Sequence, residues 1–164
     1  MILTGIADFA AALPAGRAVA GLDLGEKTIG VAVSDARARI ATPLLTIRRV
    51  KFTADAGALL KIAGARGIGG LILGLPVNMD GTEGPRCQSV RAFARNLEKL
   101  TGLPIGFWDE RLSTVAAERV LIAADTSRKR RAEVIDHVAA AYILQGALDR
   151  MGNLDAARPG GDGG

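Results

Sequence analysis

The sequence predicts an α/β domain built on a five-stranded mixed sheet: an antiparallel three-strand meander plus two parallel strands, flanked by helices. Three observations carry this expectation. Residues 17–48 hold three apolar runs joined by short turns, so consecutive strands should pair antiparallel. Two later apolar runs, at 69–75 and 104–108, alternate with helix-periodic segments, the pattern of parallel strands linked by crossovers. A length of 164 residues suits a single domain that buries roughly 70% of its unfolded surface.

Each element has its own signal. The runs at 17–25 and 29–35 are almost wholly apolar, as in strands buried on both faces. Residues 39–48 alternate loosely and contain Pro43, which suits a sheet edge. Thr53 is placed to cap a helix with Asp55 in its first turn, ending near Gly64 to Gly67. The strand at 69–75 stops at Pro76, a polar loop follows, and Pro85 suits the start of the next helix. Val90, Phe93, Ala94, Leu97 and Leu100 mark that helix's buried face. The fifth strand delivers Asp109 and Glu110, followed by a helix over 113–124, a basic loop and a last helix over 130–151. Residues 1–16 read as an N-terminal extension, 17–151 as the domain and 152–164 as a disordered tail.

Composition excludes several classes. Hydrophobic residues make up 49% of the chain, mostly aliphatic, yet no run of about 18 uncharged apolar residues would span a membrane. Residues 1–14 lack the basic start of a secretory signal. Cys87 is the single cysteine, which fits a reducing, cytoplasmic setting and removes any internal disulfide. With one histidine as well, His137, thiolate and imidazole metal sites are excluded by supply. A metal would need oxygen ligands, favouring Mg2+ or Mn2+. The net charge of +4 permits nucleic-acid binding, and Arg128, Lys129, Arg130 and Arg131 concentrate four cations just before Asp136.

Three acids occupy unusual positions. Asp23 sits in the middle of an apolar strand, where a carboxylate is costly unless paired or bound to a cation. Glu110 ends the fifth strand; it equally suits a cap on the helix beginning near Ser113. Asp136 begins an apolar helical stripe of Ala139, Ala140, Ile143 and Ala147. A pairing with Arg130 or Arg131 at the helix start is a competing reading of it. Two carboxylates about 4 Å apart repel by roughly 4 kcal/mol at an effective dielectric near 20, so three together would recruit a divalent cation.

Four ordered blocks resemble the YqgF/RuvX family over about residues 17–150: Gly21 to Asp35, Gly74 to Thr82, Asp109 to Thr114, and Asp136 to Gln145. The resemblance implies a ribonuclease H-like fold and a nuclease acting in 5′-end processing of precursor 16S ribosomal RNA, or on Holliday junctions. By motif, Asp23, Glu110 and Asp136 take the catalytic and metal-binding positions. Asp109 competes with Glu110 for the second, since strand alternation sends the two to opposite faces. Two Mg2+ or Mn2+ ions on these acids would activate water and stabilise the leaving oxygen. His137 then neighbours the site as an orienting residue.

Arg111, Asn78 and Arg128 to Arg131 are the expected nucleic-acid contacts, each with a duller alternative: a surface ion pair, an ordinary turn, a solvated charge run. Phe107 and Trp108 suit core packing better than base stacking. The expected partner is structured nucleic acid, with precursor rRNA favoured over branched DNA. The protein is expected to be a cytoplasmic monomer or weak homodimer with no membrane association. An actin-like phosphotransferase and a non-catalytic RNA-binding module are the rival functions.

Overall fold

The computed structural model describes residues 1–112 and 128–156, with the backbone alone for 128–134 and 156. At its centre is β1 (Ala18–Leu24), in which every residue is buried. It pairs antiparallel with β2 (Thr28–Ser34) and parallel with β4 (Ile68–Leu75). β3 (Ala41–Arg48) and β5 (Ile105–Asp109) complete the order β3-β2-β1-β4-β5. The expected meander and two parallel strands are both present. Pro43 lies on edge strand β3, opposite Ala32, where the register shifts.

Strand alternation divides the core in two. Leu22, Leu24, Val31, Leu71 and Leu73 face α2 (Phe52–Arg66) and α3 (Pro85–Glu98), packing with Leu59, Phe93 and Leu97. Val19, Ala32, Ile72 and Trp108 face the long α4 (Arg128–Ala156), meeting Ala140, Ile143 and Leu144. Close approach there depends on small residues. A Cβ on Gly21 would stand 2.6 Å from that of Leu144.

The N-terminal residues are docked. Ile2 bridges Ile105, Leu3 N–H donates to the Ile105 carbonyl at 2.9 Å, and Ile105 N–H donates to Met1. Phe9 of α1 (Ile6–Ala12) is fully buried over Gly70 and Gly106.

Some sequence expectations change. The N-cap of α2 is Lys51, not Thr53; Asp55, buried in its first turn, instead accepts from the Val50 N–H. Leu100 is 53% exposed because α3 stops at Glu98, before its apolar period returns to the sheet. Arg128 to Arg131 form the first turn of α4 rather than a loop. That helix continues past Met151, taking residues 152–156 from the expected tail. The helix expected at 113–124 and the tail from 157 onward lie outside the described residues.

Candidate functional site

Asp23 is the penultimate residue of β1 and only 6% exposed. Val19 and Gly21 face α4, so alternation brings Asp23 to that face as well. Its cross-strand partner is Gly30. A Cβ on Gly30 would land on the backbone carbonyl of Asp136 and stand 2.9 Å from His137 N. The absence of a side chain there lets α4 seat the third acid against the strand position opposite the first. The Thr28 hydroxyl then donates to Asp136 Oδ2 at 2.6 Å.

Glu110 reaches the same side from β5. Trp108 packs towards α4, and two residues later Glu110 opens a short 3₁₀ turn (Glu110–Leu112) with its carboxyl carbon 3.4 Å from the Cβ position of Gly74. Asp109 takes a different partner. Its carboxylate accepts a forked pair of hydrogen bonds from Arg111, Nε to Oδ1 at 3.1 Å and Nη2 to Oδ2 at 2.6 Å. Those bonds hold the Asp109 carboxyl below its ordinary range.

The structure therefore brings Asp23, Glu110 and Asp136 to the α4 side of the sheet, near the carboxyl ends of β1 and β5. Among the described residues no three His, Cys, Asp or Glu side chains are gathered closely enough to hold a metal ion as they stand. The donor chemistry nevertheless fits a hard divalent cation, because the group is carboxylate throughout. Gly30 and Gly74 leave its floor free of Cβ atoms.

The other expected residues sort differently. Arg111 is committed to Asp109, and its Nη1 lies 3.5 Å from the Met79 carbonyl. Asn78 Nδ2 donates to Thr82 Oγ1 at 3.0 Å, within a turn closed by Asp80, which accepts from the Thr82 N–H and hydroxyl. These bonds keep the Asp80 carboxyl ionised to lower pH than usual, giving that turn a negative charge. His137 Nδ1 lies 2.9 Å from Thr46 Oγ1, tying α4 to β3. The side chains of Arg128, Lys129, Arg130 and Arg131 lie outside the described atoms. Trp108 and Phe107 pack into the two core layers, as expected. Sequence reasoning missed Thr28, Gly30 and Gly74; glycines interrupting apolar strands are the signal that marks the last two.

The five-stranded mixed sheet, in the order β3-β2-β1-β4-β5, has the ribonuclease H-like fold. A Thermus thermophilus RuvC in complex with a Holliday junction substrate superposes with a TM-score of 0.51 at 13% identity, over 83% of this chain and 96% of that one. The chain belongs to the RuvX family, whose model, described as Holliday junction resolvase, matches residues 17–150. A relative from Ruegeria sp. (strain TM1040) is 71% identical over 94% of this chain and 98% of its own length. Another, from Rhodobacter capsulatus, is 69% identical over 96% of this chain and 99% of its own. Both carry the name "Putative pre-16S rRNA nuclease".

Proposed function

We propose that this protein hydrolyses phosphodiester bonds of nucleic acid, with Asp23, Glu110 and Asp136 as its catalytic, metal-binding acids. The observation that carries this reading is the shared face: Asp23 and Glu110 come from separate strand ends, and α4 brings Asp136 to Gly30, opposite Asp23. A pair of Mg2+ or Mn2+ ions would supply the charge that neutralises the phosphodiester and acidifies an attacking water. The chain's own part is placement. Thr28 fixes the Asp136 carboxylate, Gly30 admits its backbone, and Glu110 lies over Gly74. No serine or histidine nucleophile enters this scheme.

Precursor 16S rRNA is the favoured substrate, supported by the names of relatives about 70% identical over nearly the whole chain. A four-way DNA junction is the second reading, supported by the family's description. The protein would work in the cytoplasm as a monomer or weak homodimer, with Asn78 and Arg128 to Arg131 contacting the substrate backbone. Side-by-side cleavage of both substrates, with and without Mn2+ or Mg2+, tests this reading. The parent should cut one of them only with metal, and Asp23→Asn should bind without cutting. Equal cutting by Asp23→Asn would overturn the assignment.

A further inference from the structure

Cations differ in how they are spent. Arg91 is paired with Glu83 and Arg111 with Asp109, whereas Lys27, Arg48, Lys51 and Arg86 form no ion pair among the described residues. Lys51 and Arg86 line one groove, Lys27 follows its lining residue Glu26, and Arg48 lies on edge strand β3. Arg48 stands opposite Thr28 in the β2–β3 register, hence on the face of Asp136. The next residue, Arg49, turns to the opposite face. Its guanidinium lies 5.7 Å from the Phe93 ring centroid and donates to the Gly25 carbonyl at 2.6 Å.

There, Gly25, Glu26, Arg49, Lys51, Arg86 and Ser89 line a groove of about 520 Å³. Asp55 also borders it, but this carboxylate is buried, accepts the Val50 N–H and lies 3.9 Å from Arg49 Nε. Among the described residues that line the groove, Glu26 is thus the one exposed acid beside Lys51 and Arg86. Val50, at 80% exposure, adds an apolar surface between Arg49 and Lys51. Gly25 is two residues beyond Asp23, about 7 Å along an extended chain, or about two base steps of a stacked strand.

We infer that this groove is a second phosphate-contact surface for the substrate strand. A strand with its scissile bond over the acids would pass Arg48 at the sheet edge and lay its backbone against Lys51 and Arg86. This rests on the nuclease reading, but it is separately testable. Binding of a fluorescein-labelled single-stranded RNA is measured in EDTA across a salt series. Lys51→Ala/Arg86→Ala is compared with the parent and with Arg95→Ala/Lys99→Ala, two exposed cations at the far end of α3. The groove variant should bind about tenfold more weakly. Its log-affinity slope against log salt should be shallower by about 1.4, two contacts at about 0.7 each. Unchanged thermal midpoints show that the fold survives.

Equal affinity and slope for groove variant and parent overturn the inference. So does an equal loss in the Arg95/Lys99 control, or a parent that does not bind. Cleavage by the parent in Mn2+ is scored separately. If it fails while the groove variant still loses affinity, the nuclease reading falls and the binding surface stands.

Discussion

Thr28 Oγ1 donates a 2.6 Å hydrogen bond to Asp136 Oδ2, joining residues 108 positions apart in sequence. Thr28 belongs to the same β2 face as Gly30, whose missing side chain receives the Asp136 backbone. Main chain and carboxylate of the third acid are therefore fixed by two residues of one strand. Hydrogen bonds to charged groups contribute about 1.5–3 kcal/mol. Thr28→Val should lower kcat by about 10- to 100-fold and the unfolding midpoint by about 5–9 °C, and Thr28→Ser should recover most of both losses. Steady-state cleavage of the better substrate checks this. A Val variant as active as the parent would show that Asp136 needs no anchor.

Gly30 and Gly74 should respond unequally to alanine. At Gly30 the new methyl meets the main chain of Asp136, which cannot rotate away. At Gly74 it meets Ile143 Cδ1 at 2.5 Å, the end of a flexible side chain. Gly30→Ala should cost more than about 3 kcal/mol, or prevent folding, and Gly74→Ala about 1–2 kcal/mol. Thermal unfolding distinguishes them, at roughly 3 °C per kcal/mol for a domain of this size.

These glycines also mark where the sequence was legible and where it was not. The sheet could be read because β1 and β4 are buried on both faces and therefore appear as unbroken apolar runs. Asp23 stood out against that background for the same reason. Thr28 did not, since a threonine opening a strand is ordinary and its partner lies on a helix 108 positions away. Arg111 was ambiguous because its commitment to Asp109 depends on how the chain turns after β5. Lys51 as the N-cap of α2 was hidden too, because its side chain makes no capping bond, while the Asp55 carboxylate reaches back to the Val50 N–H ahead of the helix.

The N-terminal residues should prove structural. Phe9 is fully buried in the layer between sheet and α4, and a Cβ on Gly70 would come within 2.7 Å of its ring. Phe9→Ala should cost about 3–5 kcal/mol. Removing residues 1–16 also deletes the backbone pairing at Ile105 and should lower the unfolding midpoint further. Calorimetry on both variants checks this, and a truncated chain as stable as the parent would exclude any structural role for the segment.

Asp109 and Glu110 are neighbours with different predicted fates. Glu110→Gln should lower kcat by at least about 100-fold with unchanged fold. Asp109→Asn should stay within about threefold in activity and lose about 0.5–1 kcal/mol of stability, because its pair with Arg111 is partly solvated, at 23% and 32% exposure. The pH dependence of that loss has a definite sign. Hydrogen bonding by Arg111 depresses the folded-state value of Asp109 below its usual 3.8. The pair's contribution is therefore complete above that value and disappears as pH falls through the lower folded-state value. The stability gap between parent and Asp109→Asn should stay constant from neutral pH down to about pH 5 and close in stronger acid. Denaturant titrations along a pH series read that gap directly. Loss of cleavage in Asp109→Asn, with Glu110→Gln active, would exchange the roles of the two acids and overturn the reading of one shared α4 face.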